Sequence, residues 1–158
     1  MDARRLRDAT RHWVTGVGVI TTVAAGEKQG ALVNNVACLS MDPPLYLACF
    51  GNSSRTLAAV LASRCFNIHF LARGQQVVAM AFAAREGDKF GGVRHEPGKL
   101  GAPVLADALV CLECELESTH EAGGSTVVIG RVIEVHESQQ EPLAMLGRQF
   151  VALAPEPS

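Results

Sequence analysis

The stretch Ala108–Glu137, ALVCLECELESTHEAGGSTVVIGRVIEVHE, decides the fold. Its two halves read as long strands, and the glycine turn AGGS at Ala122–Ser125 folds one back on the other as a hairpin. Cys111 and Cys114 form a CxxC within the first strand, where positions three apart face opposite sides of a sheet. They cannot converge on one metal there. No second CxxC or HxxxH completes such a site, so no metal is expected.

Working outward from the hairpin, more strands appear than helices. Residues 4–13 have Leu6, Ala9 and Trp13 at roughly helical spacing and read as an amphipathic helix. VTGVGVITTV (Val14–Val23) is rich in β-branched residues, and AAGEKQG connects it to a second strand, ALVNNVA, as another hairpin. SMDPP is expected to stop the ladder and LYLACF to resume it. A helix follows at about 55–63, then the strand CFNIHFL, then QQVVAMAFAAR, whose continuous apolar residues suggest a largely buried helix. Glu86–Gly101 has no period and reads as a long loop, of the kind that is functional or mobile. EPLAMLGRQFVAL is expected to pack on the body and the terminal PEPS to fray.

These elements favour a mainly β fold, an antiparallel barrel with a few helices, over a parallel doubly wound sheet. No GxGxxG joins a strand to a helix, and GVGVITT lacks the third glycine. With 158 residues, 48% hydrophobic and 19% charged, the chain suits a single domain over 1–158. The 14 basic and 16 acidic side chains leave a net charge of -2, no footprint for a nucleic-acid partner. Arg4, Arg5, Arg7 and Arg11 interleave with Asp2 and Asp8 as on an exposed helix face. Without a signal-like apolar region or a membrane-length apolar run, a soluble cytoplasmic protein is expected, and the five cysteines suit a reducing compartment.

Gly51–Ala62, GNSSRTLAAVLA, is the candidate binding segment. A helix start exposes N–H groups and the positive end of the dipole, so Ser53, Ser54, Arg55 and Thr56 can cradle a phosphate. The plainer reading makes a serine the N-cap and Arg55 a solvated charge. His69 alternates with Ile68 and Phe70 on a strand and reads as a satisfied or solvent-facing histidine. No Ser/His/Asp or Cys/His constellation can be assembled from spacing.

Taken in order, HWVTGVGVITT, GALVNNVACLSMDPPLYLACF, NSSRTLAAV, FAAREGDKFGGV, AGGSTVVIGRV and EPLAMLGRQFVAL resemble the flavin reductase family with the FMN-binding split barrel, over about residues 3–153. The resemblance implies a dimeric six-stranded antiparallel Greek-key barrel with FMN or FAD near the subunit interface. It places Leu32 to Ser40, including Val33, Asn34, Asn35, Val36 and Cys38, against the flavin ring, with Phe50 among the contacts. It gives Ser53, Ser54, Arg55 and Thr56 the phosphate, and Lys89 and Phe90 a closing loop preceded by Phe82. Phe82 can equally be core, and Lys89 a solvated charge. Hydride transfer between stacked rings needs position and shielding more than catalytic side chains, and none is assigned with certainty.

Departures from the family pattern fall on the ring segment and the nicotinamide side. Family members commonly read GxTxNSxxSxS where this chain has GALVNNVACLS, so Leu32, Asn35 and Cys38 replace hydroxyl-bearing or small residues. The hairpin GDHT is here GGST, putting Ser125 where a histidine would border the nicotinamide, and Phe150 stands where tyrosine is common. The resemblance implies an NADH- or NADPH-dependent flavin reductase, a homodimer that serves a separate flavin-dependent oxygenase. A flavin carrier or sensor without nicotinamide chemistry is the alternative.

Overall fold

The protein is described here by a computed structural model covering residues 1–154, so the PEPS terminus lies outside the described residues. Along the chain come α1 (Ala3–Thr10), β1 (Thr15–Gly16), β2 (Gly18–Ala24), β3 (Glu27–Leu32), β4 (Val36–Met41), β5 (Pro44–Gly51) and α2 (Arg55–Ser63). They are followed by β6 (Cys65–Phe70), α3 (Gln76–Ala83), β7 (His95–Pro97), β8 (Pro103–Leu105), β9 (Val110–Ala122), β10 (Ser125–Glu137), β11 (Ala144–Leu146) and β12 (Gln149–Val151). No described helix is long and apolar enough to cross a membrane.

The long hairpin is the expected one. β9 and β10 are paired antiparallel from Ser125↔Ala122 to Glu137↔Val110, with bulges at Ile129/Gly130 and Val132/Glu134 that let thirteen-residue strands bend. They stand in the middle of a sheet ordered β3-β2-β6-β9-β10-β5-β4. Every one of these strands sends a side chain into one apolar cluster, among them Ala31, Ile20, Phe66, Leu112, Val128, Phe50 and Val36, so the sheet curls around it. Burying each large side chain there contributes about 1.5–3 kcal/mol. The hydrogen-bonded order holds seven strands rather than six, because the chain between Glu27 and Met41 supplies two edge strands.

That split corrects one expectation. ALVNNVA is not a continuous strand: pairing with β2 ends at Leu32, and residues 33–35 turn the corner to β4. Val33 N–H donates to the Gly18 carbonyl at 2.8 Å, and Cys49 N–H to the Asn35 carbonyl at 3.0 Å. A Cβ on Gly18 would lie 2.4 Å from the Val33 oxygen, so the corner closes only against a glycine. The tight connection in the first hairpin is only Ala25–Gly26, both at positive φ. Nor does SMDPP stop the ladder: Met41 pairs with Pro44 around a two-residue turn at Asp42–Pro43, which needs no ladder donor from either proline.

The helices differ too. α1 ends at Thr10 and buries nothing, so Leu6 and Trp13 are exposed. In α3 only Ala79 and Phe82 are buried, while Val77 and Met80 are 82% and 61% exposed, because only one stripe of an apolar helix can meet the sheet. Phe82 belongs to a second apolar cluster with Val17, Val19, Leu71, Phe90 and Leu143, against which Leu32, Met145 and Phe150 pack. The loop expected at Glu86–Gly101 contains β7, which pairs with β8. Cys111 faces away from Cys114, which lies in the barrel core, and all five cysteines are unpaired. Among the described residues no group of metal-binding side chains converges.

A buried polar seam holds β8 to the barrel. Thr21 Oγ1 donates to the Pro103 carbonyl at 2.5 Å, and Asn67 Nδ2 to the Ala102 and Pro103 carbonyls at 3.0 and 3.1 Å. Glu113 accepts from Lys99 N–H at 2.6 Å and lies 2.7 Å from His136 Nε2. His69 is fully buried: Nε2 accepts from Leu105 N–H at 3.0 Å, so Nδ1 carries the proton and donates to the Val19 carbonyl at 3.1 Å. Burial, outweighing that carbonyl and helped by His136, pushes its pKa down to about 4. Between the unfolded value of about 6.5 and about 4 the unfolded chain alone takes up the proton, so stability falls as pH falls through that window. At pH 7 His69→Gln should unfold more easily than the parent, and about 2 kcal/mol of that gap should be gone by pH 5, read from urea unfolding at both pH values. A gap that stays constant would show that the ring titrates normally in the fold.

Candidate functional site

The turn from β5 into α2 builds the anion end of the site. Asn52 stitches it to the tip of the β9–β10 hairpin: its N–H donates to the Gly124 carbonyl at 3.1 Å, and its side-chain oxygen accepts from Thr126 Oγ1 at 2.9 Å. Ser54 N–H then donates to the Gly51 carbonyl at 2.9 Å, and Ser54 Oγ accepts from Leu57 N–H at 3.3 Å as the N-cap. With the cap in place, Arg55 projects from the first helical position and Thr56 is buried beneath it.

Ser53, Ser54, Arg55, Thr56, Leu32, Phe82 and Lys89 line a single cavity of about 590 Å³. Seven of the residues singled out in the sequence therefore meet in one place. Two strand residues, Gln29 and Ala31, complete the wall together with Ala83, Ala84 and Arg85. Gln29 and Ala31 were not expected; the signal for them was Gly30, whose Cβ would lie 2.5 Å from the Phe82 ring. A glycine in that strand lets the phenyl ring close onto β3. Phe90 stacks edge-on behind Phe82, with centroids 5.0 Å apart, and is buried, so it supports the wall from an adjoining crevice. Phe82 is thus core and wall at once.

The charge of the cavity is one-sided. Lys89 Nζ donates to the Gly30 carbonyl at 2.9 Å and to the Phe82 carbonyl at 3.4 Å, and the Arg55 guanidinium donates to the Arg85 carbonyl. Partial burial, and secondarily the Arg55 charge, lower the Lys89 pKa. No acidic side chain lines the cavity. Two cations are held in place by neutral carbonyls, with their charge left to be met by an anion.

Other expected residues lie elsewhere. Val33 and Phe50 point into the barrel core, and Val36 packs on it. Asn35 and Cys38 are exposed on the corner and on β4, and half-buried Ser40 pairs with Leu45. Ser125 pairs with Gly51 at the hairpin tip, outside the cavity lining. Phe150 faces Met145 across the β11–β12 hairpin. Asn34 opens onto a second crevice of about 220 Å³, where Nδ2 donates to Met145 Sδ at 3.3 Å and Oδ1 is buried without a hydrogen-bond partner.

The chain matches the flavin reductase like domain over residues 10–154. The flavin-dependent monooxygenase reductase subunit HsaB of Rhodococcus jostii (strain RHA1) is 36% identical over 157 residues, 99% of this chain and 80% of that protein. The crystal structure of the nitrilotriacetate monooxygenase component B homologue from Mycobacterium thermoresistibile has a TM-score of 0.93 and 34% identity, covering 98% of this chain and 88% of that one. NADH:FAD oxidoreductase SgcE6 of Streptomyces globisporus C-1027, solved with NAD and FAD fragments, has a TM-score of 0.93 and 31% identity, covering 99% and 96% of the two chains. With a matching domain that leaves out only the first nine and last four residues, the chain belongs to the flavin reductase like family.

Proposed function

We propose that residues 1–158 form one flavin reductase-like domain, an NAD(P)H:flavin oxidoreductase that reduces FMN or FAD by hydride transfer and passes the reduced flavin to a separate oxygenase component. The observation that carries this reading is the acid-free cavity in which Arg55 and Lys89 are pinned by carbonyls beside the hydroxyls of Ser53, Ser54 and Thr56. Such a cradle fits the phosphate of a flavin nucleotide. The buried and unpartnered Asn34 Oδ1 fits a ring N–H donor on the far side of Leu32. When bound, the flavin supplies the hydride acceptor, and the protein supplies position and shielding.

In this reading Ser54 caps α2 so that its N–H groups and Arg55 face the phosphate together. Phe82 and Leu32 form the apolar wall, and Lys89 draws the loop over it. Asn34, Asn35, Cys38 and Ser40 border the ring, and Ser125 and Phe150 the nicotinamide side. The names of the relatives, reductase subunits of flavin-dependent monooxygenases and an NADH:FAD oxidoreductase, support both the nucleotide and the oxygenase partner. A homodimer is supported by the apolar surface beside the ring segment, where Leu39 and Met41 are 49% and 80% exposed. Five unpaired cysteines accord with the cytoplasm.

Purified protein with FMN or FAD should oxidise NADH or NADPH, followed at 340 nm, and absence of turnover with every pairing would overturn the enzymatic reading. If bound flavin also stays oxidised under anaerobic NADH and NADPH, the carrier reading takes its place. Arg55→Gln should raise the flavin Kd about ten-fold, measured by fluorescence titration, with the fold unchanged by circular dichroism. Superimposable titration curves would remove the phosphate from Arg55.

A further inference from the structure

The second crevice has a character that flavin binding does not use. Arg7 on α1 and Arg11 at its C-cap, one turn apart, line it together with Arg148 from the β11–β12 turn, and no residue lining the crevice is acidic. Asp8 touches Arg11 at 3.6 Å on the exposed side, which leaves Arg7 and Arg148 with no carboxylate partner among the described residues. Arg4 and Arg5, on the same helix, do not line it. Arg148 is held at φ 78 in a two-residue turn, a conformation that glycine adopts more easily. Trp13, 77% exposed, rims the crevice, and its inner end is Asn34 with the unpartnered Oδ1.

We propose that Arg7, Arg11 and Arg148 form the docking site for the diphosphate of the pyridine dinucleotide, an assignment that rests on the flavin reductase reading. The two cavities share no lining residue and are bridged by the run Leu32–Asn34. The second phosphate of FAD is bonded to the first, so it stays at the Arg55 end. A hydride donor, by contrast, must lay its nicotinamide on the flavin ring, and one ribose separates that nicotinamide from two phosphates. An anion therefore has to fall within reach of the ring on the side away from Arg55. The arginine crevice opening at Asn34 meets that requirement, and guanidinium forks match phosphate oxygens.

The test compares the parent with Arg7→Gln/Arg11→Gln/Arg148→Gln in steady-state turnover against NADH and NADPH, in calorimetric titration with each nucleotide, and in flavin titration. The triple variant should raise KM and nucleotide Kd about ten-fold for both nucleotides, keep kcat within about two-fold, leave flavin Kd unchanged and flatten the rise of KM with salt. Arg148→Lys should recover part of the loss, and Arg4→Gln/Arg5→Gln should match the parent. Unchanged nucleotide binding overturns the proposal. So does an equal loss of flavin affinity, which would give the crevice to the flavin, and so does a loss confined to NADPH, which would mean that the arginines read its extra phosphate. Should the parent show no turnover, the reductase reading fails, and calorimetry still decides whether the arginines hold the dinucleotide.

Discussion

Everything functional in this protein hangs on the requirement that seven strands bury one apolar cluster. A flat sheet of this order would leave Phe66, Ile68, Leu112, Val128 and Phe50 covered on one side only. Curling brings edge strands β3 and β4 round the same core. The chain can then pass from one edge to the other in three residues, 33–35. The corner at which the barrel is split consequently lies between the two cavities, with Leu32 lining one and Asn34 the other. Its position is fixed by the Gly18–Val33 contact and by Cys49 N–H, together with the local bond from Val36 N–H to the Asn34 carbonyl.

The same curl explains how a site of mobile side-chain types becomes rigid. Lysine and arginine lose side-chain entropy when ordered, roughly 1.5–2 kcal/mol each. Here the ordering is supplied by carbonyls from three elements, Gly30 of β3, Phe82 of α3 and Arg85 of the loop that follows it. That loop is in turn anchored by Phe90 against Phe82, and by His95, whose Nε2 lies 2.9 Å from Lys28 Nζ and whose ring is 5.2 Å from that of Phe90. Under the proposed function an incoming phosphate would meet cations already in position. The cost of bringing them together is carried by the fold, as preorganised binding requires.

Much of this was legible from residue order alone, and the failures have physical causes. Gly123–Gly124 marked the central hairpin and the serines before Arg55 the start of a helix at about residue 55, because turn and cap signals are local. What stayed hidden depended on neighbours distant in sequence. Whether ALVNNVA was one strand or two depended on how tightly Val33 could approach Gly18, and periodicity holds no information on that. The exposure of Val77 and Met80 was masked by the uniform apolarity of α3, which gives no face to choose. Gln29 and Ala31 enter the cavity only because Gly30 admits Phe82, a contact 52 residues away in the chain.

The arginines of α1 show how the same residues change meaning with their surroundings. In sequence, Arg4, Arg5, Arg7 and Arg11 alternate with acids and suit a solvated helix face. Folding divides them. Arg7 and Arg11 line one crevice with Arg148 and Asn34, while Arg4 and Arg5 do not. A helix that buries nothing gains little stability from the body of the protein, yet it is kept against the crevice at the split of the barrel. α1 and the β11–β12 hairpin come together next to the one buried side-chain polar atom among the described residues that has no partner in the fold. An unsatisfied buried acceptor costs about 1–3 kcal/mol. Under the proposed function a donor arriving with the ligand would offset that cost beside Arg7, Arg11 and Arg148.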